Sequence, residues 1–246
     1  MSLAIRILCH NVFWFQGYPF EPDTPGDPLP VILKALATIY KQILPDVFCL
    51  QEIQSHSTFE AVCKAFDMKG YYSPGHDLSQ YGGCILCNRP GTVKSSETSS
   101  FSTNRFWQIL SYPSENGKDL RIANVHLPSD RHLGAMGGLR QRLRELEHIV
   151  ALKPQVVCGD FNERPHGAVS EFMNKHMYTD SAVKTQNEDV CSAISGRRGD
   201  YIWVHETMAD RIKAYDCIAP SKFTTDVKGK TFISDHLPIW IDLEAP

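Results

Sequence analysis

Six short motifs end or open apolar runs with the residue types that metal-assisted hydrolysis needs. Asn11 closes a run that contains Ile5, Ile7 and Leu8, and Glu52 closes Val47-Phe48-Cys49-Leu50-Gln51. His126 sits in Ala123-Asn124-Val125-His126-Leu127, and Asp160 and Asn162 follow Val156-Val157-Cys158-Gly159. Asp200 opens Tyr201-Ile202-Trp203-Val204, and Ser234-Asp235-His236 precedes Leu237-Pro238. Short apolar runs of this kind read as buried strands. Each polar residue therefore falls where a strand leaves the core, the place where side chains from several strands can converge on a cleft.

The residue types suggest roles. A buried carboxylate must be paired, bound to a metal or protonated. Glutamate oxygens suit a hard cation such as Mg²⁺ or Mn²⁺, which keeps water and takes further ligands from a phosphate. Glu52 is the expected ligand, with Asn11 on the neighbouring strand as a ligand or its support. In an extended chain Asp160 and Asn162 would face the same way, with Phe161 opposite. Such a pair could hold a water between them, the carboxylate taking its proton and the amide aligning it; the alternative is an Asx turn. His236 could donate to a phosphate oxygen if a carboxylate held its proton. Asp200 is the expected partner, which leaves Asp235 for the metal.

The elements that position these residues follow from hydrophobic periodicity. Strands are predicted near residues 4–11, 46–51, 82–88, 91–98, 105–113, 119–127, 155–160, 200–205, 212–218 and 237–243, and helices over 29–43, 56–67, 136–151 and 167–176. Many strands with few dispersed helices predict an α/β fold of two packed mixed β-sheets flanked by helices. No Gly/Ser/Pro linker divides the chain, so residues 1–246 are read as one domain. Residues 17–30 hold five prolines and read as a long loop beside the site, ordered to mobile.

Composition narrows the class. At 246 residues and 42% hydrophobic, the chain can bury a large core. A formal net charge of −3 argues against a protein that coats long nucleic acid. It leaves room for a phosphate held by a metal and local cations, for which Arg105, Arg131, Arg140, Arg164, Arg197 and Arg198 are the candidates. Of eight cysteines, Cys9, Cys49 and Cys158 lie inside apolar runs and read as buried hydrophobes. Cys84 and Cys87 are three apart on a predicted strand and would face opposite ways, which opposes a zinc site. No apolar stretch has membrane-helix length. The N-terminus runs directly into a strand-like segment without a leader, so an intracellular, cytoplasmic protein is expected.

Taken in order, the motifs resemble the endonuclease/exonuclease/phosphatase superfamily, the deoxyribonuclease-like fold. The residues that carry the resemblance are Asn11, Leu50-Gln51-Glu52, Val125-His126-Leu127, Gly159-Asp160-Phe161-Asn162, Asp200-Tyr201-Ile202 and Ser234-Asp235-His236-Leu237-Pro238. The resemblance implies a four-layered α/β sandwich and Mg²⁺- or Mn²⁺-dependent hydrolysis of phosphate esters. It implies Glu52 as the principal metal ligand with Asn11 and Asp235 nearby, and Asp160 and Asn162 as the residues that activate and position the nucleophile. His126 and His236 would contact the phosphate, with Asp200 orienting His236. Gly82-Gly83-Cys84-Ile85-Leu86 and Val125-His126-Leu127-Pro128, with Arg140-Gln141-Arg142-Leu143 downstream, look like the deadenylase and tyrosyl-DNA phosphodiesterase branches. The sequence departs from them at His10, where those branches carry an aromatic residue, and at Arg197-Arg198-Gly199 before Asp200.

The leading expectation is a phosphodiesterase acting on a nucleic-acid end or short strand. Phe13, Trp14 and Phe15 after Asn11, and Phe106 and Trp107 after Arg105, are candidate surfaces for a stacked base. Arg105 is the preferred phosphate contact, with Arg131 second. The rivals are hydrolysis of a small phosphate ester or lipid headgroup, and a catalytically silent binding module on the same fold. Nothing in the sequence suggests stable membrane association or a module for protein partners.

Overall fold

The computed structural model describes residues 4–114 and 117–245, so the expectation drawn from Met1 to Leu3 falls on residues outside those described. Strands β1 (Ala4–Asn11), β2 (Val47–Ile53), β3 (Lys69–Ser73), β4 (Gly82–Cys87), β5 (Thr92–Ser95) and β6 (Phe106–Tyr112) are followed by β7 (Leu120–His126) and β8 (Val156–Asp160). β9 (Tyr178–Asp180), β10 (Asp200–His205), β11 (Ile212–Cys217) and β12 (Ile239–Glu244) complete the strands. They form two six-stranded sheets, ordered β11-β12-β1-β2-β4-β3 and β5-β6-β7-β8-β10-β9. Each is antiparallel except at one pair, β1 with β2 in the first sheet and β7 with β8 in the second.

Period-two alternation explains the layers. Ile5, Ile7 and Cys9 of β1, Val47 and Cys49 of β2, Val156 and Cys158 of β8, and Ile202 and Val204 of β10 meet in the core between the sheets. The intervening residues face outward onto helices. Leu8, Phe48 and Leu50 pack against Ile32, Leu36 and Tyr40 of α1 (Pro30–Ile43) and Val62 of α2 (His56–Phe66). On the other side Ala123, Val125 and Val157 pack against Leu146 and Ile149 of α3 (Asp130–Ala151) and Val169 and Met173 of α4 (Ala168–Lys175). The order helix, sheet, sheet, helix is a four-layered α/β sandwich. Because both faces of the central strands are buried, they read in the sequence as continuous apolar runs rather than as alternating ones.

Several boundaries differ from the sequence reading. β3 and β9 were not predicted; both are short edge strands without a long apolar run. The segment predicted as a strand over 91–98 turns into a 3₁₀ turn at Ser96. α3 starts at Asp130 rather than 136, with a break at Gly134, whose φ is +66°. Two further short helices, α5 (Ser181–Lys184) and α6 (Glu206–Ala209), lie on either side of β10. Cys84 packs on the α1 side of the first sheet and Cys87 in the core between the sheets, and all eight cysteines are free. Among the described residues no helix is long and apolar enough to cross a membrane.

Gly159 shows how tightly β7 and β8 approach. Its φ is +153°, and a Cβ built on it would lie 1.8 Å from the Val125 carbonyl oxygen. Gly159→Ala is expected to force the strands apart at a cost of about 1–3 kcal/mol, the scale of overpacking. Thermal unfolding would register this as a lower Tm, and an alanine variant that melts with the wild type would refute the close approach.

Candidate active site

The strand ends that carry the polar motifs are brought together by parity and register. Asn124 and His126 of β7 share the inward parity of Leu120 and Ile122, Asp160 shares that of Cys158, Asp200 that of Ile202, and Asn11 that of Cys9. The ladder sets Asn11 beside Gln51, His126 beside Asp160, and Asp160 beside Asp200. All of these lie at one mouth of the sandwich. The core becomes polar stepwise toward that mouth. Cys9, Cys49 and Cys158 give way to an amide bridge between the sheets, in which Gln51 Nε2 donates to Asn124 Oδ1 at 2.7 Å. Asn124 Nδ2 in turn donates to the Leu50 and Cys84 carbonyls at 3.1 and 3.0 Å.

Glu52 reaches the mouth through a β-bulge. Gln51 pairs with Gly83 and Ile53 with Gly82, so Glu52 is the extra residue, and its φ is +61°. A left-handed non-glycine residue costs on the order of 1–3 kcal/mol, and bulges of this kind re-aim a side chain. The carboxylate turns toward Asn11, whose Nδ2 donates to Glu52 Oε1 and to Asp160 Oδ2, both at 3.1 Å. Asn11 Oδ1 accepts from the Phe13 backbone N–H at 3.0 Å, which fixes the amide orientation. Asn11 thus acts here as a donor between two carboxylates.

Asp160 sits at the centre. Its Oδ2 lies 3.3 Å from His126 Nε2 and 3.8 Å from His236 Nε2, and its Oδ1 accepts from the Asn162 backbone N–H at 2.9 Å. The expected extended geometry through Asn162 is not found. The chain leaves β8 at Asp160, and Asn162 has φ +49°. The Asx turn forms because Asp160 Oδ1 satisfies the Asn162 N–H locally while Phe161 N–H donates to the Gly199 carbonyl. Asn162 still lines the cleft, with its Nδ2 donating to the Leu127 carbonyl at 2.9 Å.

His236 is held from several directions. Its Nδ1 donates to Asp200 Oδ2 at 2.8 Å, and Ser192 Oγ donates to the same oxygen at 2.7 Å. Ser192 Oγ also accepts from the backbone N–H groups of Gly199 and Asp200. Ser234 Oγ accepts from the His236 N–H and donates to the Asn11 carbonyl, which ties this segment to β1. Burial opposes a charge on His236, but Asp200, Asp235 and Asp160 outweigh it and hold the imidazolium well above the usual histidine range. His126 differs: burial, then Arg105 and His236, push its pKa well down, and neither ring nitrogen has a hydrogen-bond partner. One histidine therefore presents a charge and the other a neutral ring.

The donor set fits a hard divalent cation. Glu52 Oε2 and Asp235 Oδ1 are buried oxygens without a hydrogen-bond partner. Burial, and then the facing charge of Asp235, push Glu52 up to about 7 and outweigh the opposing pull of Arg105, Asn11 and His236. Asp160, Asp200 and His236 also offer ligand atoms within 4.8 Å of one another. That grouping already uses His236 Nδ1 in the pair with Asp200, whereas the two oxygens of Glu52 and Asp235 are free to accept a ligand. Arg105 adds a fixed positive charge. Its buried guanidinium lies 4.4 Å above the Tyr81 ring, bonds Ser129 Oγ at 3.2 Å, and feels the charges of Asp160 and Glu52.

A cleft of about 530 Å³ opens over this centre, lined by Asp160, Asn162, Asp235 and His236, with Tyr18, Arg142, Arg164 and Arg197 around them. Other expected contacts lie elsewhere. Trp14 is 4% exposed, its indole N–H donates to the Gln80 carbonyl at 2.8 Å, and Phe13 and Tyr81 cover its ring. It is a packing residue, and so are Phe106 and Trp107, which are fully buried. Arg131 is exposed and paired with Asp23 at 2.6 Å, which ties α3 to the proline-rich loop instead of to the cleft. That loop is further pinned where Gln16 Nε2 donates to the Gly26 and Asp27 carbonyls and Gln54 Nε2 to the Gly26 carbonyl. Two residues outside the expected site set brace it, Ser192 and His10, the latter marked in the sequence only as a departure from the related branches. His10 is buried and neutral, with burial lowering its pKa to about 3. Its Nε2 donates to the His236 carbonyl at 3.0 Å and its Nδ1 accepts from Tyr40 Oη.

The sequence profile of the endonuclease/exonuclease/phosphatase family matches residues 10–236. The chain belongs to this family. Among solved structures, the mannosyl-6-phosphatase of Bacteroides thetaiotaomicron superposes with a TM-score of 0.72 at 16% identity, over 97% of this chain and 99% of that one. The human Nocturnin catalytic domain with bound sulfate gives 0.67 at 16% identity, over 98% of this chain and 94% of that one. TDP2 of Caenorhabditis elegans gives 0.63 at 20% identity, over 99% of this chain and 75% of that one. At these identities the likeness concerns the fold. No curated protein matches the chain in sequence.

Proposed function

We propose that this family member is a Mg²⁺- or Mn²⁺-dependent hydrolase of phosphodiesters at a nucleic-acid end or in a short strand. The observation that carries the reading is that a charged His236, a central Asp160 and Asp235 line one cleft, with Glu52 buried within electrostatic reach of Asp235 and both carboxylates keeping an unpartnered oxygen. Glu52 and Asp235 would hold the cation, which supplies charge neutralisation and orients the phosphate. Asp160 takes the proton of the attacking water, and Asn162 aligns that water with its amide oxygen while its Nδ2 stays on the Leu127 carbonyl. His236, charged and braced by Asp200, donates from Nε2 to a phosphate oxygen as negative charge builds. His126 and Arg105 complete the phosphate surround, the first as a neutral donor and the second as a buried charge.

A second reading, a phosphatase of a small molecule, is supported by the size of the cleft and by the burial of Trp14, Phe15, Phe106 and Trp107, which leaves only Phe13 partly exposed among the expected stacking aromatics. A substrate panel in Mg²⁺ and Mn²⁺ separates the two: single-stranded DNA and RNA, 5′-tyrosyl DNA, poly(A), sugar phosphates and a chromogenic diester. Shortening of strands supports the first reading, and phosphate release from sugar phosphates alone supports the second. In either case activity should vanish with a chelator and return with added metal while circular dichroism stays unchanged, because the cation site is open and separate from the apolar core. Full activity in the chelator would end the metal-dependent reading.

A further inference from the structure

Four arginines line the cleft, and they divide sharply. Arg142 is buried and spent on Asp130 and Glu163, both at 2.8 Å. Arg198 is buried and spent on Asp180 at 2.7 Å, with Tyr201 under its guanidinium. Arg164 and Arg197 are exposed, and neither forms an ion pair with any described residue. Both line the cleft and also, with Arg198, a neighbouring depression of about 350 Å³ whose lining includes Glu188 and Asp189.

Their backbones are fixed relative to the reacting centre. Arg164 follows Asn162 by two residues, and Tyr201 Oη donates to the intervening Glu163 carbonyl at 3.1 Å. The Arg197 carbonyl accepts from the N–H groups of Ser192 and Ala193, both at 3.0 Å, closing a turn at Gly196. The same turn bonds the Asp235–His236 segment, since Ile194 N–H donates to the Asp235 carbonyl at 3.0 Å and Ala193 bridges His236. One guanidinium thus stands on the segment that carries Asn162 and the other on the turn bonded to the segment that carries His236, and neither is in an ion pair with a described residue.

We propose that the substrate carries a second phosphate group next to the scissile one, and that Arg164 and Arg197 bind it. Two forked cations match the charge and geometry of a phosphate better than those of a single carboxylate. This inference rests on the phosphoester reading above. It extends that reading by specifying a substrate with two phosphates, supplied either by the adjoining nucleotide of a strand or by a small bisphosphate.

Matched substrates test it in Mn²⁺: thymidine 5′-(4-nitrophenyl phosphate) with and without a 3′-phosphate, and glucose 1,6-bisphosphate against glucose 6-phosphate. In the wild type the second phosphate should raise kcat/KM at least about 10-fold, mainly through KM, the scale of charge-assisted hydrogen bonds. The ratio should fall toward one in the Arg164→Ala/Arg197→Ala variant and in the milder Arg164→Gln/Arg197→Gln variant, with folding checked by circular dichroism. The pair that carries the ratio identifies the source of the second phosphate. A wild-type ratio near one in both pairs, or a ratio that survives in a folded double variant, overturns the proposal. If no substrate turns over, the phosphoester reading fails by itself. Calorimetry with thymidine 3′,5′-bisphosphate against thymidine 5′-monophosphate then decides the arginine site alone: a preference lost in the variant upholds it, and equal binding removes it.

Discussion

Asp160→Asn should lower turnover by at least about 10²-fold, the scale of a positioned general base, while the fold and cation binding persist. The substitution is close to isosteric, so the bonds that organise the site have replacements. An amide oxygen can still accept from the Asn162 N–H or from Asn11 Nδ2, the two donors that now hold the carboxylate at 2.9 and 3.1 Å. What disappears is the negative charge and the basicity at the atom that faces both His126 and His236. KM should change far less than kcat, and binding of a phosphate substrate can tighten because a negative charge leaves the cleft. Steady-state kinetics with calorimetric titration of Mn²⁺ would check both parts. Near wild-type turnover in the folded variant would remove Asp160 from the role of base.

Much of this arrangement was legible because buried strands obey period two. Once Val156-Val157-Cys158 is read as a strand with Cys158 inward, Asp160 must face inward too, and the same count places Asn11 after Cys9 and Asp200 before Ile202. The geometry of Glu52 was not legible. Its bulge depends on pairing with Gly82 and Gly83 thirty residues away, and no local pattern around Gln51 announces it. The sequence around Asp160 and Asn162 is compatible with both the turn and an extended pair. The Phe161 bond to the Gly199 carbonyl, a tertiary contact, accompanies the turn. Trp14 misled for a related reason. An aromatic residue just past a strand end can cover a ligand or close the core, and only the Gln80 carbonyl and the Tyr81 ring reveal which. His10 and Ser192 act through backbone and hydroxyl bonds to His236 and Asp200, so their residue types alone carried no sign of the task.

The Asp200–His236 pair should show itself as a unit in both rate and pH profile. Asp200 Oδ2 accepts a hydrogen bond from His236 Nδ1 at 2.8 Å, and with Asp235 and Asp160 it raises the histidine's pKa despite burial. The active form of His236 is the protonated one, so its contribution is complete below that raised pKa and is lost on the alkaline limb, as pH rises through it. Asp200→Asn removes the nearest negative charge and leaves burial opposing the imidazolium, so the alkaline limb should move to lower pH and turnover at neutral pH should drop. Cation binding should survive, because the unpartnered oxygens of Glu52 and Asp235 are untouched. His236→Ala should lower turnover at least as much, by about 10²-fold or more if the charge stabilises the transition state as preorganised donors commonly do. The double variant should be little worse than His236→Ala, since groups that act through one another are not additive. Multiplicative losses, or an alkaline limb that stays in place in Asp200→Asn, would separate the two residues. Asp200 would then be a carboxylate that holds the start of β10 through Ser192, and the charge on His236 would have to come from Asp235 and Asp160 instead.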